Sequence, residues 1–275
     1  MQFLDLFDRS AAQESLAPLI IALIVAVALS RTRVAWLAIV AGYATTVFFN
    51  GDFAFSPLTA TRKVILIGFV AALVGLAVDL IPRKPRHLGA SVAIIAGIVS
   101  IWAFLSVLSQ REVIAGVTTG VGIAAFVAVL AALVLRLRND GLQAGAAGLG
   151  LGLATGIAGV LSASLGYLFA GIAVAAAAGA LILTQVILSR RLAAGFTGAL
   201  PLGVLTALFA AATLLLAQLP WYTLPLLLLV PLAASLPVPA HTRITASAAI
   251  SCGYALAAAL VPVLAAWYAA RGSLT

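Results

Sequence analysis

Few side chains in this sequence could carry acid–base or metal chemistry, and most of them lie near the ends of long apolar segments. Asp79, His87, His241 and Arg243 are the residues whose positions could bring them together as a polar cluster at one face of a helical fold. A metal ion would need at least three converging ligands in fixed geometry, and the spacing of these residues predicts no such site. We therefore expect a polar cluster without a metal.

Asp79 is the one carboxylate that lies inside an apolar run, about one turn before the run ends. A negative charge near the C-terminus of a helix opposes the helix dipole, so we expect a cationic partner for it. Arg83, Lys84 and Arg86 are close in sequence. Asp79 either fixes a helix end at a membrane interface or has a functional role.

The motifs that usually identify an enzyme are absent from the sequence. A single cysteine, Cys252, excludes an intrachain disulfide and any multi-cysteine metal site. The sequence contains no phosphate-binding loop, no zinc-protease motif and no nucleophile-elbow motif. The prediction is therefore no catalytic residues and no cofactor, and an enzyme is less favoured than a non-catalytic protein.

The composition indicates a membrane protein. Of 275 residues, 64% are hydrophobic and only 8% are charged, whereas soluble domains carry about 25% charged residues. A net charge of +8 would suggest nucleic acid in a soluble protein. Here the basic residues lie in short turns between apolar runs, which is typical of membrane proteins and predicts no nucleic-acid binding.

Apolar runs separated by charged or Pro/Gly turns predict an all-α, polytopic transmembrane helical bundle with about ten spans in a lipid bilayer. We treat residues 1–275 as a single integral membrane domain, which could divide into halves 1–138 and 139–275. The predicted spans are Leu16–Ser30, Val34–Phe49, Val64–Ile81, Gly89–Leu108, Val113–Leu135, Leu142–Leu165, Leu168–Leu188, Ala193–Leu216, Tyr222–Leu236 and Ile244–Trp267.

The basic residues predict an orientation. The turns after odd-numbered spans hold Arg31, Arg33, Arg83, Lys84, Arg86, Arg136, Arg138, Arg190, Arg191 and Arg243. The other side holds Arg9, Arg62, Lys63, Arg111 and Arg271. The positive-inside rule places the first set in the cytoplasm and both termini outside, in a bacterial-type inner (plasma) membrane.

Four residues near one long outer loop could meet a ligand. Asn50 and Asp52 lie in the loop, and Arg62 and Lys63 end it. They could contact an external substrate or a partner subunit, although a plain turn with cations reaching toward water explains them as well.

Two positions inside spans could also belong to a substrate site. Gln185 is an amide within the seventh span, where it would form an interhelical hydrogen bond or contact a polar substrate. Pro231 should kink the ninth span, and broken helices often form transporter binding sites.

A stripe of glycines in the sixth span predicts close helix packing. Gly148, Gly152 and Gly156 recur at four-residue spacing, so they lie on one face of the helix. The absence of side chains lets a neighbouring helix approach closely. The same smooth stripe could also let helices slide during gating.

Three functions fit these features. The first is a permease for a small or lipidic molecule, which predicts a polar cavity near mid-depth, contacted by the sixth and ninth spans and by Gln185. The second is a non-catalytic membrane subunit or assembly factor with partner membrane subunits and no internal cavity. The third is an enzyme acting on lipid head groups at the cytoplasmic face, which requires Asp79, His87, His241 and Arg243 to converge.

Overall fold

The structure, a computed structural model, describes residues 10–32, 34–49, 58–81, 87–161, 165–216, 220–239 and 242–272. Asn50, Asp52 and His241 lie outside the described residues, as do Arg83, Lys84 and Arg86, the predicted cationic partners of Asp79. Within these ranges the chain forms helices and short turns, without a strand. An all-helical fold follows from the apolar runs, because a helix satisfies its backbone polar groups internally.

The helices are numbered here in chain order. They are α1 (Ser10–Ala28), α2 (Leu37–Phe49), α3 (Ala60–Leu80), α4 (Leu88–Leu108), α5 (Val113–Arg136), α6 (Gly141–Leu161), α7 (Leu165–Ile187), α8 (Gly195–Leu216), α9 (Thr223–Leu227), α10 (Leu229–Ala234) and α11 (Ile244–Gly272). A 3-10 turn, Leu137–Asn139, joins α5 to α6. The Asp140 side chain then caps α6, accepting from the backbone N–H groups of Leu142 and Gln143 at 3.0 and 3.3 Å.

Seven of the described helices, α3 to α8 and α11, are long and apolar enough to cross a membrane. Multiple apolar helices of this kind suggest an integral membrane protein. The predicted count of about ten spans is not confirmed, because three apolar stretches are shorter: Leu16–Ala28, Leu37–Phe49 and Thr223–Ala234. Each apolar stretch, of 12 or 13 residues, extends only about 20 Å, whereas the hydrocarbon core is about 30 Å thick. Helix α1 is longer than its apolar stretch because it begins at Ser10.

Helix α8 lies at the centre of the bundle. Of its most apolar stretch 89% is buried, compared with 28% for α11. It packs against α3, α5 and α6, and less extensively against α2, α4 and α7. A helix that is apolar all round is expected in an interior position, and α8 therefore positions the other helices relative to one another.

Close packing joins α6 to α7. A Cβ added at Gly152 would lie 2.6 Å from the Ala175 nitrogen, and one added at Gly171 would lie 2.6 Å from the Gly152 oxygen. Gly156 lies against residues of the same α7 helix, whereas Gly148 lies against Leu202 of α8 as well as Ala178 of α7. The predicted stripe therefore faces α7 at Gly152 and Gly156, and at Gly148 it faces both α7 and α8.

The ninth predicted span is broken. Helix α9 ends at Leu227 and α10 begins at Leu229, so the break at Leu228 precedes Pro231 by about one turn. A proline ring clashes with the preceding helical turn, which accounts for a break at this position. Pro231 itself is buried in α10.

Candidate functional site

Four arginines line a polar cavity at one end of the bundle, which we call the arginine cavity. Its volume is about 490 Å³. Arg31 follows α1, Arg138 lies in the 3-10 turn, and Arg190 and Arg191 lie between α7 and α8. The other lining residues are Ser30, Thr32, Ala35, Trp36, Asp79, Asn139, Leu192, Ala193 and Gly195.

Most of the arginine charge in this cavity is not neutralised by the described residues. Arg191 lies 3.9 Å from the carboxylate of Asp140 and donates to the Ser247 hydroxyl at 3.3 Å. Arg138 stacks over the Phe196 ring, with 4.9 Å between the guanidinium carbon and the ring centroid. No ion pair of Arg31, Arg138 or Arg190 occurs within the described part of the chain. The cavity is therefore electropositive.

Asp79 joins the end of α3 to the start of α8. Its Oδ2 accepts from both the backbone N–H and the hydroxyl of Thr197, each at 2.8 Å. The carboxylate thus caps the positive end of the α8 dipole, a favourable position for a negative charge. Gly195 lies directly against this carboxylate with φ of +64°, so a side chain there would be strained and would collide with Asp79.

Gln185 supports the turn that carries Arg190 and Arg191. Its Oε1 accepts from the Leu192 backbone N–H at 3.0 Å, and its Nε2 donates to the Leu181 carbonyl at 3.3 Å. The side chain is fully buried and does not line the arginine cavity. Gln185 therefore lies beneath the cavity, where it holds the turn against the end of α7.

Trp36 forms an apolar wall of the arginine cavity. Its indole ring packs directly on Gly198 of α8, where any side chain would collide with it. The residue is 1% exposed, and within the described chain its Nε1 has no hydrogen-bond partner. A buried donor without a partner costs about 1–3 kcal/mol of stability. Such groups are rare in native proteins, and this one belongs to a residue that lines a polar cavity.

A second cavity lies at the other end of the same helices. We call it the hydroxyl cavity, because Tyr43, Thr46, Thr61 and Tyr167 line it; its volume is about 180 Å³. The side chains of Thr61 and Tyr167 are hydrogen-bonded. The Thr46 hydroxyl is buried and has no partner in the described part of the molecule. Apolar residues complete the lining: Val47, Val64, Ile65, Gly166, Ala170 and Phe209.

Packed helices separate the two cavities. Along α2, Trp36 of the first and Tyr43 of the second are seven residues apart, or about 10 Å along a helix. On α3 and α8 the two linings are fourteen residues apart, or about 21 Å. The Tyr43 ring centroid lies 5.9 Å from that of Phe69 and 5.8 Å from that of Phe209. The linings therefore come nearest to each other along α2.

The remaining predicted site residues lie elsewhere. His87 and Arg243 are exposed and do not line the arginine cavity. Arg62 and Lys63 lie at the start of α3, where the Arg62 backbone N–H donates to the Thr59 hydroxyl at 3.4 Å. The ammonium of Lys63 donates to the Trp102 carbonyl at 3.4 Å and lies 5.0 Å from the centroid of its ring. Lys63 thus ties α3 to α4.

The polar cavities also differ from the one expected at mid-depth. We predicted a cavity contacted by the sixth and ninth spans, but the ninth span lines a mainly apolar groove with α5. The polar linings belong to α2, α3, α7, α8 and to the turns between α1 and α2, between α5 and α6, and between α7 and α8. Proline and glycine in the sequence mark where helices bend and pack, and they do not show where polar side chains converge.

Comparisons with protein-family models, with curated proteins and with solved structures found no match for this chain. A functional assignment therefore depends on the geometry of the two cavities.

Proposed function

We propose that this chain is a multi-pass membrane permease for a small polar molecule. The main support for the proposal is the pair of cavities with polar groups at opposite ends of α2, α3, α7 and α8. Alternating access needs a site that opens to one face and then to the other across a thin barrier. The two linings come nearest along α2, about two helical turns apart, so we place the barrier there.

The chemistry of the linings supports this function. A polar side chain inside a membrane is costly unless it is bonded to protein or lines a wet cavity. Thr46 and Trp36 each hold a buried polar atom without a partner in the described residues, and each lines one of the two cavities. Both atoms are buried in this conformation, so they would gain a partner from substrate or water only when the lining rearranges, as alternating access requires. A purely structural subunit gains nothing from leaving them unbonded.

We further propose that the three shorter stretches also cross the membrane, giving ten crossings in one integral membrane domain. At one end of the ninth stretch, Trp221 shares a groove with Thr118 of α5 and Leu214 of α8. At its other end, the Leu236 carbonyl accepts from Gln143 at 3.3 Å, beside the start of α6. The ninth stretch thus passes from one end of the bundle to the other, and the described residues on either side of it, 220–222 and 235–239, supply the missing length.

We propose the membrane orientation that the basic residues of the turns predict. With the arginine cavity in the cytoplasm, the positive-inside rule is satisfied and both termini lie outside a bacterial-type inner membrane. The apolar outer faces of α4 and α11 would contact lipid, and they leave room for partner membrane subunits.

Single-cysteine accessibility tests the permease proposal without knowledge of the substrate. Cys252 is the one cysteine in the sequence, so Cys252→Ser gives a cysteine-free background. Thr46→Cys then reports on the hydroxyl cavity and Ala193→Cys on the arginine cavity. A membrane-impermeant thiol reagent is applied to right-side-out and to inside-out vesicles. We expect Ala193→Cys to react from the cytoplasmic face and Thr46→Cys to react from both faces.

The matched control is Leu260→Cys on the outer surface of α11, where the native side chain is 59% exposed. We expect no reaction there from either face, because the thiol would lie among lipid chains. If Thr46→Cys reacts from one face only and Leu260→Cys does not react, the barrier between the two cavities does not open. Such a barrier would favour the membrane-subunit alternative.

A further inference from the structure

We infer that the arginine cavity binds the phosphate group of a small phosphate monoester. This inference names the substrate class of the proposed permease and in that sense rests on it, although binding itself can be measured without transport. It comes from the charge, the donor geometry and the apolar wall of the cavity.

The charge of the cavity matches a dianion. Four arginines line it, and the described carboxylates beside them are Asp79, in the lining, and Asp140, paired with Arg191. The described charges therefore leave an excess of two positive charges. A phosphate monoester carries about −1.5 to −2 charges at pH 7, whereas a simple carboxylate carries one negative charge.

The donors of the cavity suit phosphate oxygens. A guanidinium group is planar, always charged, and presents paired N–H donors that match phosphate or carboxylate geometry. Arg31, Arg138 and Arg190 come from three different turns, so the donors of the lining are supplied by separate parts of the chain. Several separate donors suit the oxygens of a phosphate group. The Asp79 carboxylate already occupies the start of α8, so the arginines and not the helix end supply the donors.

An apolar wall beside the arginines accommodates the organic part of an ester. Ala35, Trp36, Leu192 and Ala193 form this wall. Inorganic phosphate needs far less room than the about 490 Å³ available, and it gains nothing from an indole. A phosphate monoester uses both surfaces.

The experiment measures binding to the purified full-length chain. Isothermal titration uses glycerol 3-phosphate as the probe, with glycerol and acetate as the neutral and singly charged comparisons. A second arm places the chain in nanodiscs with phosphatidic acid or with phosphatidylcholine alone, because the same monoester chemistry occurs in a soluble molecule and in a lipid head group. We expect monoester binding in at least one arm, with glycerol and acetate weaker by about tenfold or more.

Arginine variants locate the binding to the cavity. Arg31→Gln and Arg190→Gln lie on separate turns, and each should weaken monoester binding about tenfold or more, since each removes charge-assisted hydrogen bonds. The matched control is Arg136→Gln: Arg136 lies near the same end of the bundle, is exposed and does not line the cavity. We expect the control to bind as the wild type does. Size-exclusion chromatography shows which variants fold.

The outcomes separate this inference from the permease proposal. In one outcome the cavity variants lose monoester binding and Thr46→Cys reacts from one face only. The phosphate site would then be supported and the permease proposal would be wrong. In another outcome Thr46→Cys reacts from both faces, but no monoester binds in either arm. The permease proposal would then be supported and the phosphate assignment would be wrong. Equal weakening by Arg136→Gln and Arg190→Gln would also overturn it, because binding would then reflect the general surface charge.

Discussion

Replacing Gly152 by alanine should destabilise the bundle by forcing α6 and α7 apart. The added Cβ would lie 2.6 Å from the Ala175 nitrogen and 2.7 Å from the Gly171 oxygen, whereas ordinary contact begins at 3.4 Å. Both neighbours are backbone atoms, so they cannot rotate away as a side chain can. The helices must separate by roughly 0.8 Å at this point, and overpacking of this kind costs about 1–3 kcal/mol.

The gain in helix propensity does not cancel this cost. Alanine is better than glycine by up to about 1 kcal/mol in an exposed helix, and the same gain applies at Gly122, where an added Cβ would meet no described atom within 4 Å. Gly122→Ala on α5 is therefore the matched control. We expect it to leave stability unchanged or slightly raised.

The assay is reversible unfolding in mixed micelles with increasing SDS, followed by circular dichroism. Gly171→Ala should cost as much as Gly152→Ala, because its Cβ would lie 2.6 Å from both the Gly152 oxygen and the Gly156 Cα. The double variant should cost less than the two single costs together, since one separation of the helices relieves both clashes. Full additivity, or a Gly152→Ala variant as stable as Gly122→Ala, would refute this account of the α6–α7 contact.

The same unfolding assay checks two further contacts. Asp79→Ala should lower stability by about 1.5–3 kcal/mol, because two charge-assisted hydrogen bonds to Thr197 are lost; Thr197→Val should cost less, since the bond from its backbone N–H remains. An Asp79→Ala variant as stable as the wild type would show that this cap is dispensable. Gln185→Leu should cost about 1–3 kcal/mol by leaving the buried Leu192 N–H unbonded, and a neutral result would mean that the turn does not depend on the amide.

The helical fold could be predicted from the sequence, because apolar runs with charged boundaries directly indicate segments in an apolar environment. The number of crossings could not be predicted in the same way. A bilayer sets a length that a span must reach, and Leu37–Phe49 is too short by itself. Whether such a segment crosses depends on where its ends pack, which is a property of the tertiary structure.

Within the candidate site, the sequence singled out Asp79 and Gln185 as polar residues in apolar surroundings. The cations that the sequence predicts beside Asp79 lie outside the described residues, and the structure shows a further partner that spacing could not reveal, the start of α8 118 positions away. Gln185 was predicted to bind substrate or to join helices, and its described bonds go to backbone atoms of its own helix and of the following turn. An isolated polar residue signals that a partner exists and does not identify it.

The arginines of the cavity predict an orientation from the sequence but not a site, because turn residues at 31, 138 and 190 have no sequence relation to one another. One signal could have joined them. Helix α8 is apolar on all sides, which predicts a central position, and the turns of the helices around it must then meet near its ends. Arg190 and Arg191 immediately precede α8, so basic turns on the same side of the membrane should converge with them. The positive-inside pattern and the uniform hydrophobicity of one helix together predict a basic cavity, which neither feature predicts alone.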